Sequence, residues 1–324
     1  MKKAILSLTS FVLLAFSLSL RADTVRTTVT VGDNPLGVAV NPVTNRVYVG
    51  VNSTRQTVVL DGSTQKIIGT INAPGFLVAV NPVTNRIYAA GCLPAVADSC
   101  NLAVVDGRNN KVIANVPINS GSSIGLQGIA VNPVTNRIYL ADADNGQYIV
   151  IDGRTNTIIA QVPVSSQPGG LSVDPKTNHL FVAGAGFPGE VEVFDAATNA
   201  EIATIPESFG VVNVATDFRI NRAFVTVATT ASVSVIDTTL NQEITEVPTG
   251  QFPNGIDVNL LNDRVYVVNS SSLSVTIIDG KTNQVLQTLP IPAVFPANVA
   301  VNPVTGFSYI TDNASNQVIV LTEN

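Results

Sequence analysis

Apolar residues fall along this chain in short bursts, each closed by a small polar turn. Leu36–Val40, Arg46–Val51, Thr57–Leu60 and Ile67–Ile71 are the first four, rich in Val, Ile and Thr. Short β-branched runs bounded by Pro, Gly, Asn and Asp predict strands. The first two runs are joined by Asn41-Pro42-Val43-Thr44-Asn45. Pro42 presets φ for a turn, and Asn45 tolerates a left-handed backbone. Asp61-Gly62-Ser63-Thr64-Gln65 joins the last two, and Ala73-Pro74-Gly75 leads onward.

The same pattern then recurs. Copies of the Asn-Pro-Val-Thr-Asn-Arg turn begin at Asn41, Asn81, Asn132, Asp174, Asp217, Asn259 and Asn302. A period of about 40–50 residues built from short strands is the signature of a β-propeller. The expected fold is all-β: seven blades, each of four antiparallel strands lettered a to d from the centre outward. The last copy has Gly306 where the first has Asn45, and Gly and Asn are the residues that accept positive φ most easily. The c–d turn recurs at Asp106, Asp152 and Asp279 with Gly second, and at Asp195 and Asp237 without it.

The seventh repeat has no fourth strand, because the chain stops soon after Val318–Leu321. Val25–Val31 precedes the first repeat and alternates Val with Arg or Thr. The simplest solution is that this N-terminal strand completes the last blade and latches the ring. Closing so long a loop costs on the order of 5 kcal/mol. A ladder of backbone hydrogen bonds, at about 1 kcal/mol each, with buried valines offsets that cost.

Hydrophobic residues make up 45% of the chain and charged ones 12%, as suits sheets covered on both faces. The formal charge is −6 with no basic cluster, which argues against a nucleic-acid partner. Residues 1–22 read as a signal peptide: Lys2 and Lys3, an apolar run from Ala4 to Leu20, then Ala22 before Asp23. An uncleaved anchor is the competing reading. Cleavage leaves residues 23–324 as one propeller domain without a membrane span, periplasmic or secreted to the cell surface. Cys92 and Cys100 are the only cysteines. In an exported chain they are expected to form a disulfide rather than a zinc or redox pair.

Val265-Tyr266-Val267-Val268-Asn269, Val275-Thr276-Ile277-Ile278-Asp279 and Thr282-Asn283-Gln284-Val285 resemble the YVTN repeat of exported bacterial propellers and archaeal surface-layer proteins. The resemblance extends over about residues 25–322, with degenerate versions such as Tyr48-Val49-Gly50-Val51 and Tyr309-Ile310-Thr311-Asp312. It implies the seven-bladed fold. It implies little about activity, because propellers serve many chemistries.

Candidate chemistry is sparse. Asp61, Asp106, Asp152, Asp195, Asp237 and Asp279 end strands c, and Arg46, Arg86, Arg137, Arg222 and Arg264 begin strands b. They are expected to pair within a blade as structure. Both partners are missing together in the seventh blade, which has Phe307 and Thr322. His179 is the single histidine and occupies such a repeat slot, which argues against a Ser-His-acid triad and excludes a multi-histidine metal site. Asp142, Asp144 and Asn145 resemble the start of a calcium loop, but the later ligands are missing. No haem motif is present, and no cofactor is expected.

The loops joining d to a and b to c break the repeat most, and loops carry function. They supply the candidate binding residues Arg55, Phe76, Asp142, Asp144, Phe187, Glu190, Phe209, Phe252, Phe295 and Asp312. The leading reading is an exported, non-enzymatic, monomeric binding or scaffold propeller for a peptide, glycan or protein. The alternative is a metal-dependent hydrolase, lactonase or lyase at the channel mouth, using Asp142, Asp144, Glu190 and Asp312.

Overall fold

The computed structural model describes residues 22–92, 100–119 and 125–324. Of residues 1–22, expected from the sequence to be a signal peptide, all but Ala22 lie outside the described residues. The described residues form seven four-stranded antiparallel sheets and no helix, so none is long and apolar enough to cross a membrane. The first blade runs a Pro35–Asn41, b Arg46–Val51, c Gln56–Asp61 and d Ile67–Ile71. Each later blade repeats this order, with inner strands beginning at Leu77, Leu126, Pro168, Val211, Pro253 and Pro296.

The ring closes as the sequence predicts. Thr24–Thr30 is the outermost strand of the seventh blade, antiparallel to Gln317–Thr322, with Val29 opposite Val318. The latch is also tied to the sixth blade. Asp23 is buried, and its carboxylate accepts from Tyr266 Oη at 2.8 Å and Arg264 Nη1 at 3.0 Å. Its backbone N–H donates to Gln287 Oε1 at 2.9 Å.

Apolar side chains from facing sheets fill the spaces between blades, where Tyr48, Tyr88, Tyr139, Phe181, Phe224, Tyr266 and Tyr309 recur at one position of strand b, all almost fully buried. A polar ladder follows the same ring. Asn41 Oδ1 caps its own turn by accepting from Val43 N at 3.1 Å, and Asn41 Nδ2 donates to Asn85 Oδ1 of the next blade at 2.8 Å. Asn81 meets Asn136 and Asn132 meets Asn178 in the same way, and Asn302 reaches Asn45 to join the last blade to the first. Each acceptor Asn sits at positive φ, as expected for Asn45, and Gly306 does too. Because Gly306 has no side chain, Asn259 donates instead to Glu323 Oε2 at 2.8 Å.

The expected Asp–Arg pairing holds in part. Arg86 meets Asp106 at 2.8 Å and Arg222 meets Asp237 at 3.2 Å. Arg46 instead donates to Gly107 O of the next blade at 2.6 Å, and Arg137 donates to Ala196 O. Arg264 turns to the latch acids Asp23 and Glu323. Each Asp that ends a strand c caps its own turn whether or not it meets an Arg. The Ser63 hydroxyl and the Thr64 N–H hold the Asp61 carboxyl down to about 2. His179 stands opposite Asp195 in the same register.

Candidate functional site at the channel mouth

Antiparallel blades put the a–b and c–d turns on one face and the d–a and b–c loops on the other. On the loop face the inner strands diverge around a cavity of about 500 Å³. Phe76, Phe209, Phe252 and Phe295, from four separate d–a loops, all line it. Phe209, Phe252 and Phe295 remain about half exposed. Inner strands approach closely just below. A Cβ on Gly255 would lie 2.6 Å from Ala297 O, so this site of contact requires glycine.

Backbone bonds and buried acids hold the loops. Phe252 adopts φ 56°, and its carbonyl accepts from Ser270 N at 2.9 Å. Asp312 is fully buried and accepts from Val294 N at 2.9 Å and Phe295 N at 2.8 Å. Asp144 Oδ2 accepts from Gly125 N at 2.9 Å. Asp142 accepts from Asn145 Nδ2 at 2.8 Å and Gln147 Nε2 at 2.9 Å. Glu192 takes Ser165 N on both oxygens, and burial pushes its carboxyl up.

Among the candidates read from the sequence, the structure therefore gathers the four d–a phenylalanines. Phe187 is exposed on the rim and meets Phe209 edge-to-face at 5.9 Å. Arg55 adopts φ 54° in the first blade's b–c turn, and Glu190 is the second residue of strand c of the fourth blade, opposite Gly184. Neither Phe187, Arg55 nor Glu190 lines the cavity. Asp142 and Asp144 serve loops of the third blade, and Asp312 serves a loop of the seventh. Among the described residues no three His, Cys, Asp or Glu come together as a metal site. Cys92 and Cys100 are disulfide-bonded, closing the b–c loop of the second blade.

The mouth continues into a central channel of about 370 Å³, and the two share Leu77, Gln127, Asn213 and Asn298. All seven inner strands line the channel. One ring of equivalent positions reads Ala39, Ala79, Ala130, Ser172, Ala215, Asp257 and Ala300. Asp257 is the single ionisable side chain among the channel-lining residues. It accepts from Val258 N at 2.8 Å and Val301 N at 2.7 Å. Enclosure by protein pushes its carboxyl up to about 6, against those two hydrogen bonds. Asp257 is absent from the candidates drawn from the sequence. Aligning the seven strands a against one another is the signal that finds it, because five of the seven positions are alanine.

No family model matches this chain, and no curated protein matches it. Among solved structures, it is similar to a chain described as Kuenenia stuttgartiensis Hydrazine Synthase, with a TM-score of 0.75 and 15% identity. The match covers 96% of this chain and 98% of that one. At that identity the likeness establishes the propeller fold and nothing about chemistry.

Proposed function

We propose that the chain is a non-enzymatic binding propeller of the exported, YVTN-like kind, which holds a peptide, glycan or protein at the phenylalanine-rimmed mouth. One observation carries this reading: four loops far apart in sequence each deliver a phenylalanine to one cavity, and three of those rings stay about half exposed. A folding core would bury them. Half-exposed aromatics around a concave site are the composition of a recognition surface. The Cys92–Cys100 disulfide supports an oxidising compartment, as does the apolar segment that precedes Asp23 in the sequence.

The test compares the wild-type chain with a Phe209→Ala, Phe252→Ala, Phe295→Ala variant on peptide and glycan arrays. Because these rings contribute little to the core, the variant is expected to keep its melting temperature within a few degrees and to lose the array signals. Array signals unchanged in a folded variant reject the mouth as the binding site.

A further inference from the structure

Asp257 is hard to explain as part of the frame. The fold repeats seven times, and at this position it uses alanine five times and serine once. An ionised carboxylate inside a protein costs several kcal/mol unless something repays it. Two backbone N–H bonds repay part of that cost. The other blades leave the same inner-strand edge without a carboxylate, so the ring does not need one. Each oxygen of Asp257 receives one N–H, and a carboxylate oxygen has capacity for another donor.

The surroundings have one sign. The loop face carries Asp33, Asp142, Asp144, Glu190 and Asp312 against Arg55 as its one base among the described residues. The remaining bases belong to the opposite half: Arg46, Arg86 and Arg137 begin strands b, while Lys176, Arg219 and Lys281 sit in turns. None of these acids lines the mouth itself, and a face whose charges are mostly of one sign draws the opposite charge toward it. The entrance is rimmed by phenylalanine faces, which attract cations through the ring quadrupole. Leu77, Gln127, Asn213 and Asn298 belong to both the mouth and the channel, so the path from the rings to Asp257 is continuous.

From this arrangement we infer that the mouth selects a basic peptide, which enters past the phenylalanines as far as Asn213 and Asn298, so that the cationic end of one lysine or arginine side chain reaches Asp257 about two strand residues deeper in the channel. This rests on the binding function proposed above and adds the ligand's charge. The phenylalanines supply contact area, and the carboxylate supplies selectivity. Neutral and acidic peptides leave Asp257 without a partner or repel it.

The experiment measures anisotropy of three short labelled peptides, one rich in lysine, one in glutamate and one in leucine, at low and at moderate salt. Proteins are the wild type, Asp257→Ala and the triple phenylalanine variant. Asp257→Ala recreates the residue that five other blades use, so it is expected to fold with its melting temperature close to wild type. The expected result is binding of the lysine peptide alone, weakened about tenfold or more by Asp257→Ala and also by the phenylalanine variant. Leucine-peptide binding as tight as that of the lysine peptide, lost in the phenylalanine variant but not in Asp257→Ala, overturns the charge selection while leaving the mouth as a binding site. Lysine-peptide binding that survives the phenylalanine changes overturns both readings. Lysine-peptide binding unchanged in Asp257→Ala overturns the pairing, as does a large loss of stability in that variant without loss of binding. No binding of the lysine peptide by the wild type also overturns it.

Discussion

Asp312 spends both carboxylate oxygens on the loop that presents Phe295, accepting from Val294 N at 2.9 Å and from Phe295 N at 2.8 Å. Asp312 ends strand b of the seventh blade, and Phe295 precedes strand a of the same blade. A side chain that looks like a ligand donor in the sequence is therefore a clamp on a neighbouring aromatic. Replacing Asp312 with Ala leaves two part-buried N–H groups without their acceptor. The expected loss is about 1–2 kcal/mol in urea unfolding, at about the net worth of a hydrogen bond each. Ligand affinity at the mouth is expected to fall with it. A variant as stable as the wild type would show that the clamp is dispensable.

The latch offers a second test. Asp23 joins the N-terminal strand to Arg264 and Tyr266 of the sixth blade at 3.0 and 2.8 Å. Asp23→Ala leaves the buried Tyr266 phenol without its acceptor and Arg264 with Glu323 as its remaining acid, and losing one partner of a buried ion pair costs about 3 kcal/mol or more. Gln287→Ala removes two bonds to the Asp23 backbone, one accepted from its N–H and one donated to its carbonyl, and is expected to cost about 1–2 kcal/mol. Denaturant midpoints for the two variants check the order.

The asparagine ladder breaks between the fifth and sixth blades. There both positions are acidic, Asp217 and Asp263, and both are buried, while the fourth blade also has an acid, Asp174, at the first position. Asp263 also meets Lys281, and Arg219 lies near Asp217. Burial first, then the Asp263 charge, push the Asp217 carboxyl from 3.8 up to about 6. Between those values the folded protein holds a proton that the unfolded chain has lost. Stability from this group is therefore full below the ordinary carboxylate range and is lost as pH rises through about 6. Asp217→Asn restores the amide donor of the ladder and keeps the turn cap that Asp217 gives Arg219 N at 3.0 Å. At pH 7 the variant is expected to be more stable than wild type by about 1–3 kcal/mol, with the difference vanishing near pH 4. Thermal unfolding at several pH values checks this, and a difference independent of pH would refute the shared proton.

Ring closure through the same ladder can be tested at Asn302. Its Oδ1 accepts from Val304 N at 3.1 Å, and its Nδ2 donates to Asn45 Oδ1 at 2.8 Å. Asn302→Ala removes both and is expected to cost about 2 kcal/mol, while Asn302→Asp keeps the turn cap and places a carboxylate against Asn45. Melting curves for the pair separate the turn contribution from the link between the last blade and the first.

The sequence alone determined the blades, the turns and the latch. Those features follow from local chemistry written seven times: period-two apolar runs, Pro and Asn at fixed turn positions, and an unpaired strand at each end of the chain. Repetition makes such signals mutually confirming, and Gly306 in an Asn position supports a turn without any contact being known. Tertiary structure decided which side chains meet. Phe76, Phe209, Phe252 and Phe295 share a cavity only because closing the ring turns separations of roughly 40 residues or more into neighbourhood around one axis. Asp142, Asp144 and Asp312 have the same chemistry whether they face a ligand or an N–H, and only the loop path assigns Asp144 and Asp312 to backbone N–H groups and Asp142 to the Asn145 and Gln147 amides. Asp257 reads as one more residue in a strand until the seven inner strands are brought together and it stands as the one charge among alanines.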